Sequence, residues 1–295
     1  MTKSLAIIGA GRVGRALGRS LREAGWKIIV VTARTEASAK KAARFIGGGR
    51  ATAGLPATLL GASAILLTVS DDSVAPVAAE LAQNIKGEWA GKVVLHTSGA
   101  LDTAALEPLR RSGAAAGSMH PLQTFNGVSV PPLAGKVFAI QGDDPATRMA
   151  RRIARTLGGI PVTVPAAKKP LYHVAGAFAA GLVLALEESG TQLLMQAGLK
   201  RREAQQALLS LTRQVLEHYE KLGAQKAWTG PLARGDYGVV TAHEKALREA
   251  GPEFLAAYQA VSRLAARVLS RDPDAMLREL DRISGNLQVA KAKGD

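Results

Sequence analysis

The sequence predicts an α/β fold: a doubly wound, mostly parallel sheet followed by an all-helical second domain. Three observations carry this. Short β-branched runs alternate with helical patterns as far as about residue 165, a glycine turn joins the first run to the first helix, and strand signals vanish from Ala166 onward. The first strand is Leu5-Ala6-Ile7-Ile8, and a helix follows from Ala16 to Ala24. Ile28-Ile29-Val30-Val31 is the second strand, Ala64 to Val69 the third and Lys92 to His96 the fourth, with a helix from Ser73 to Gln83 between the last two. Gly117 to His120 reads as a short edge strand, Val137 to Ile140 and Pro161 to Val164 as two more, with a helix from Pro145 to Leu157 between these. Beyond them 3.6-residue periodicity predicts helices over Lys169–Ala197, Arg201–Leu222, Val239–Ala250, Pro252–Ser270 and Asp274–Ile283, with a loop from Gly223 to Gly238. The expected domains are residues 1–165 and 166–295, and the tail from Lys291 to Asp295 is expected to lack structure.

The first strand runs directly into Gly9-Ala10-Gly11-Arg12-Val13-Gly14. Strand, glycine turn and helix at this spacing form a dinucleotide fingerprint of the Rossmann type. Gly9 makes the tight turn, Gly11 lets a pyrophosphate approach the backbone, and Gly14 lets helix and strand pack closely. The cradle is therefore Gly9, Gly11, Arg12, Val13 and Gly14. The end of the second strand distinguishes the cofactor, because an acid there bonds a ribose hydroxyl whereas a cation neutralises a 2′-phosphate. Here the chain reads Thr32-Ala33-Arg34-Thr35, with Lys40 and Lys41 opening the next helix. Arg34 and Thr35 thus point to NADP(H), a guanidinium being suited to bidentate phosphate binding.

Composition removes several classes. With no cysteine, neither disulfides nor cysteine-ligated metal centres are possible. The five histidines show no HxxxH or HExxH spacing, so no metal site is expected. A net charge of +14 raises the question of nucleic acid, but the cations are spread along the chain and no nucleic-acid-binding signature is present. A basic surface that attracts an anionic cofactor and a small anionic substrate is the reading adopted. No signal peptide is read at the N-terminus, and the apolar stretch Val174 to Leu186 reads as too short to span a bilayer. The expected location is cytoplasmic, with no membrane partner.

In doubly wound sheets ligands bind beyond the carboxyl ends of the strands. That rim carries Ser70 and Asp71, expected to contact the cofactor, then Ser98 and Gly99, then His120 through Phe125, with Gln123 expected to contact the substrate. Lys169 and His173 stand four residues apart and share one helix face. His120 can act as acid, base or donor near neutral pH. Ser98 and Gly99 offer a hydroxyl and backbone N–H groups to a carboxylate. In the rigid turn Thr229 to Asp236, Arg234 either clamps a substrate carboxylate or pairs with Asp236.

The glycine turn, Ser118-Met119-His120-Pro121-Leu122-Gln123-Thr124-Phe125, Lys169-Pro170-Leu171-Tyr172-His173 and Thr229-Gly230-Pro231-Leu232-Ala233-Arg234-Gly235-Asp236 occur in that order. In these motifs the chain resembles two-domain Rossmann-like predicted NADP oxidoreductases whose helical C-terminal half is a domain of unknown function. That group is akin to ketopantoate, pyrroline-5-carboxylate and 6-phosphogluconate enzymes. The resemblance implies a lysine acid–base group at Lys169, with His173 where relatives carry a substrate-orienting asparagine; at Gly181 similar proteins often carry another asparagine. It also implies a dimer through the helical domain. The expected function is NADPH-dependent reduction of the carbonyl of a small anionic 2-oxo acid, with Lys169, His173 or His120 supplying the proton. Cyclic-imine reduction and a non-catalytic NADPH sensor are the alternatives.

Overall fold

The computed structural model describes residues 3–292, with side chains through residue 285. It divides into two compact units, Met1–Ala180 and Gly181–Asp295. The helix Lys169–Ala177, read from sequence as the start of the second domain, thus belongs to the first unit.

The first unit is built on one eight-stranded sheet in the order β3-β2-β1-β4-β5-β6-β7-β8. The strands are β1 (Ser4–Ile8), β2 (Lys27–Ala33), β3 (Arg50–Ala53), β4 (Ala64–Leu67), β5 (Val93–His96), β6 (Ala115–Pro121), β7 (Val137–Gly142) and β8 (Ile160–Thr163). Pairing is parallel except between β6 and β7. Its helices are α1 (Arg12–Glu23), α2 (Glu36–Ile46), α3 (Asp71–Asn84), α4 (Glu107–Arg111), α5 (Asp144–Thr156) and α6 (Lys169–Ala177).

Alternate side chains of β1 enter different cores. Leu5 and Ile7 pack with Leu17, Leu21, Phe138 and Ile153 on one face, whereas Ala6 and Ile8 pack with Ile65, Val74 and Leu81 on the other. All five β1 residues are buried, which is why this segment reads as a continuous apolar run. The order reverses between β1 and β4, so the switch-point crevice opens beyond their carboxyl ends.

Two sequence expectations change. Gly117 to His120 is the middle of an interior seven-residue strand, paired with β5 and β7, not a short edge. Small residues (Ala115, Ala116, Gly117) hid it from a β-branched criterion. Gly117 is required, because a Cβ there would stand 2.8 Å from both the Ala146 Cβ and Leu95 Cδ2. In addition, α2 begins at Glu36 under a Thr35 cap, ahead of Lys40 and Lys41. Strand β3, Arg-Ala-Thr-Ala, lacks an apolar pattern and was not expected.

The second unit contains α7 (Val183–Gln196), α8 (Arg201–Leu222), α9 (Ala224–Ala227), α10 (Pro231–Arg234), α11 (Tyr237–Ala250), α12 (Pro252–Leu269) and α13 (Pro273–Ala292). Val240, Ala266, Met276, Leu280 and Ile283 form the core where α11, α12 and α13 meet. Buried Glu244 accepts from Gln259 Nε2 at 2.8 Å and from Ser284 Oγ at 3.3 Å, which satisfies both carboxylate oxygens inside the bundle. The expected loop from Gly223 to Gly238 contains α9 and α10. Lys291 and Ala292 continue α13, and the rest of the expected tail, 293–295, lies outside the described residues.

Helical structure is continuous over Ala166–Gln196, 31 residues with a window of mean hydropathy 1.4. By length and composition this segment is long enough to cross a membrane, so the sequence argument from a short apolar stretch does not hold.

Candidate functional site

The glycine turn follows β1 and opens α1. Gly9 has φ +104°, and a Cβ there would lie 2.6 Å from Thr68 O. A Cβ at Gly14 would collide with Thr68 Oγ1 and Gly9 O, so helix and strand approach only because the side chain is missing. Gly11 caps α1 without a side-chain hydrogen bond, and the first turn holds no acid. The amides of Arg12, Val13 and Gly14 are first-turn donors with no partner within the helix. Together these features fit a phosphate group, since a helix N-terminus with free amides, no side-chain cap and no acid attracts an anion. Thr68, which sequence reasoning missed, braces the turn by donating to Ile8 O at 3.1 Å and Gly9 O at 2.8 Å.

Arg34 is exposed at the end of β2 and makes no ion pair among the described residues. Thr35 instead serves its helix: its Oγ1 accepts from Ser38 N at 3.3 Å and donates to Ser38 Oγ at 2.9 Å. Lys40 pairs with Glu36 at 2.7 Å. Of the cations expected near a 2′-phosphate, Lys40 is engaged with Glu36, whereas Arg34 and Lys41 are exposed and make no ion pair among the described residues.

Farther along the rim, Ser98 has no free hydroxyl capacity. It donates to Asp71 Oδ2 at 2.8 Å and accepts from the amides of Ala100 at 3.2 Å and Leu101 at 3.0 Å. The hydroxyl expected to meet a substrate carboxylate is thus engaged within the fold, and its bond to one Asp71 oxygen fixes the turn after β5. Ser70 pairs with Ser73 at 2.8 Å. Gln123 donates to Pro132 O at 3.1 Å and accepts from the Thr124 amide at 2.8 Å, so its amide holds its own loop.

Helix α6 brings Lys169, Tyr172 and His173 to this rim. Lys169 is 1% exposed, and its Nζ donates to Ser118 Oγ at 2.9 Å and to Ser98 O at 3.2 Å. Burial pushes its pKa down to about 8, against smaller upward pulls from Asp102 and Asp71. His173 lies on the same face, as the four-residue spacing requires: a Cβ at Gly99 would stand 2.5 Å from His173 Nδ1 and 2.9 Å from His120 Nε2. Gly99 is therefore the spacer over which two imidazoles meet.

His120 Nδ1 and the Tyr172 hydroxyl are 2.9 Å apart. The His120 ring also stands edge-on to Tyr172 and to His173, with centroids 5.5 and 5.8 Å away. Burial, then the neighbouring His173 and Lys169, lowers its pKa to about 4, and burial raises that of Tyr172 to about 12. Beneath them His96 is fully buried, with Nε2 3.0 Å from Asp102 O and Nδ1 accepting from the Ser98 amide at 3.3 Å. Tyr172, Ser118 and His96 were not singled out as site residues. Tyr172 was visible only as a neighbour of Lys169, and its partner is 52 positions away.

Arg234 and Asp236 lie in the second unit and pair with each other, Arg234 Nε donating to Asp236 Oδ2 at 3.0 Å. Of the two sequence readings of that turn, the internal brace is present. No group of three or more potential metal ligands occurs among the described residues.

Residues 2–121 match the Rossmann-like domain, and residues 136–265 match a domain of unknown function, DUF2520. The chain joins a Rossmann-like domain to a DUF2520 domain. No curated protein matches its sequence. Among solved structures, a candidate NADP oxidoreductase of Bacteroides fragilis superposes with TM-score 0.73 at 22% identity, covering 89% of this chain and 97% of that one. The reductive aminase of Aspergillus terreus, solved with NADPH and ethyl-5-oxohexanoate, gives 0.68 at 19% identity over 90% and 94%. Pyrroline-5-carboxylate reductase of Coxiella burnetii gives 0.57 at 17% over 90% and 98%. These similarities establish a shared fold.

Proposed function

We propose that this Rossmann-like and DUF2520 protein is an NADPH-dependent reductase acting on the carbonyl of a small anionic substrate, a 2-oxo acid of the ketopantoate type. The observation that carries the reading is a proton-bearing cluster, His120, Tyr172, His173 and Lys169, assembled on the same sheet rim as the dinucleotide turn. A sensor needs the turn but not the cluster. Bound at that turn, NADPH supplies a hydride.

The chain's own residues do the rest. Backbone amides of Arg12, Val13 and Gly14 receive the pyrophosphate, and Arg34 receives the 2′-phosphate. Gly99 keeps the floor of the site free of side-chain bulk between the two imidazoles. The net charge of +14 favours an anionic substrate. The fold shared with the Aspergillus terreus reductive aminase and the Coxiella burnetii pyrroline-5-carboxylate reductase supports imine reduction as the second reading.

A panel of 2-oxo acids and cyclic imines, followed through NADPH oxidation, tests the class. Activity with neither set, in protein that binds NADPH, rejects both reductase readings. Cofactor choice is tested separately by calorimetry. Charge-assisted phosphate bonds contribute roughly 1.5–3 kcal/mol, so Arg34→Ala should weaken NADPH binding about tenfold or more while leaving NADH unchanged. Equal wild-type affinity for the two cofactors would reject the assignment of Arg34.

The same proposal includes a homodimer in the cytoplasm. Phe178 is 51% and Leu184 69% exposed on the segment running from Ala166 to Gln196, and Leu211, Leu216 and Tyr219 are exposed on α8. Apolar surface of this extent calls for a cover, and a second copy supplies it without a membrane. Light scattering at micromolar concentration should return twice the 30.7 kDa chain mass. A monomer mass, or recovery only in detergent, would reject it.

A further inference from the structure

We propose that Tyr172 delivers the proton to the substrate, with His120 as its positioning partner; this rests on the reductase reading above. Four groups in the cluster carry exchangeable protons, and geometry separates them. Lys169 is 1% exposed, with Nζ directed at Ser118 Oγ and Ser98 O, so its ammonium faces inward. Those bonds tie the turn after β5 to strand β6, so the ammonium is engaged within the protein. His120 is sheltered by Tyr172, His173 and the backbone of Gly99, and its environment, with Lys169, His173 and His96 close by, disfavours a second proton on the ring. A neutral imidazole gives up a proton only by becoming a strongly basic imidazolate, so it is a poor acid near neutral pH.

Tyr172 is half-buried, in contrast to Lys169, and its oxygen sits 2.9 Å from His120 Nδ1. With the imidazole proton on Nδ1, the ring donates to the phenolic oxygen. The phenol is then free to direct its own proton outward. The edge-on packing of the two rings, 87° between planes, fixes that alignment. A phenol pushed up to about 12 keeps its proton throughout the neutral range and yields it only to a strong base such as a forming alkoxide.

The step balances. The carbonyl carbon gains a hydride from reduced nicotinamide, the C=O π pair moves to oxygen, and that oxygen takes the Tyr172 proton. The products are an alcohol, oxidised cofactor and a phenolate held by the His120 Nδ1–H, which water then reprotonates. With an imine, nitrogen takes the same proton and an amine results. His173 is exposed beside Gly99 and is left to orient the substrate.

The test uses the full-length protein. Tyr172→Phe should leave the NADPH dissociation constant within about twofold by calorimetry, because the hydroxyl it removes bonds to His120 and not to the glycine turn. It should lower kcat on the panel substrate by about a hundredfold or more, the scale of a lost general acid. His120→Gln, which keeps a donor for the phenol, should lower kcat by a smaller factor with little change in KM. A readout independent of turnover is nitrogen-15 NMR of the histidine rings. In the wild type His120 Nδ1 should carry the proton, and Tyr172→Phe should shift that resonance while His96 stays put. Full kcat in Tyr172→Phe, or a His120 resonance that ignores the substitution, overturns the proposal while leaving the reductase reading standing. Wild-type protein that binds NADPH yet reduces nothing in the panel overturns both.

Discussion

Lys169→Met is expected to abolish a gain in stability that the wild-type protein shows between pH 8 and pH 10. The lysine is buried, and its pKa is pushed down from 10.5 to about 8 by desolvation. Between those two values the unfolded chain binds more protons at this position than the folded chain does. Stability therefore rises with pH across the window, by about 2 kcal/mol at pH 10. Above pH 10 the sign turns, because Tyr172 is raised to about 12 and the folded state then holds the extra proton. Methionine keeps the length of the side chain and removes the charge. Urea midpoints measured at pH 7.5 and pH 10 should rise in the wild type and stay level in the variant. At neutral pH the substitution also removes the donor that holds Ser98 O and Ser118 Oγ. Displacement of the Ser98-Gly99 turn beneath His120 and His173 should lower turnover by roughly tenfold to a hundredfold, the usual cost of a small misplacement in a site. A variant whose stability still climbs between pH 8 and 10 would show that Lys169 is not the titrating group.

The elements that reported themselves in the sequence are those whose burial is one-dimensional. Strand β1 lies inside the sheet and is apolar from Leu5 to Ile8, and Gly9 and Gly14 are forced by close approach to Thr68, so both appear as local patterns. Strand β6 lies equally deep but is built from alanine and glycine because α5 presses on it, and its length was lost. The same distinction governs the site. Lys169 and His173 were legible because helical spacing puts them together, and their convergence on Ser98 and Gly99 agrees with it. What spacing could not reveal was direction. Spacing put the lysine beside His173 but did not show its ammonium turned into the protein, nor that Ser98 and Asp71 bond to each other and that Gln123 bonds within its own loop. The His120 to Tyr172 bond joins a strand end to a helix and leaves no trace in either local pattern. The boundary between units shows the same limit, since periodicity marks where helices begin but not which core they pack on.

Below pH 6.5 the protein should lose stability steeply, and His96 should account for a large part of the loss. This imidazole is fully buried at the end of β5, where Nε2–H donates to Asp102 O and Nδ1 accepts from the Ser98 amide. Both ring nitrogens are matched only in the neutral form. Protonation of Nδ1 would set a donor against a donor and place a second cation near Lys169. Burial first and Lys169 second depress the pKa from 6.5 to about 4, against weaker upward pulls from the Asp102 carbonyl and the Asp71 and Asp102 charges. The group's folded pKa lies below its unfolded value, so its contribution is fully present above pH 6.5 and fades as pH falls toward 4. Integrated over that window it is worth about 3 kcal/mol. His120, also lowered to about 4, acts in the same direction, and the two are not additive because each disfavours charge on the other. His96→Gln keeps one donor and one acceptor but cannot titrate. At pH 7 it should be less stable than the wild type by about 1–3 kcal/mol, because an amide cannot match both imidazole contacts. At pH 4.5 the gap should narrow or reverse, since the variant has no neutral ring to lose. Denaturant midpoints for the two proteins at pH 7, 5.5 and 4.5 give the comparison directly. A gap that stays constant with pH would mean that the acid sensitivity arises elsewhere, and that the buried imidazole at β5 is not what couples this fold to protons.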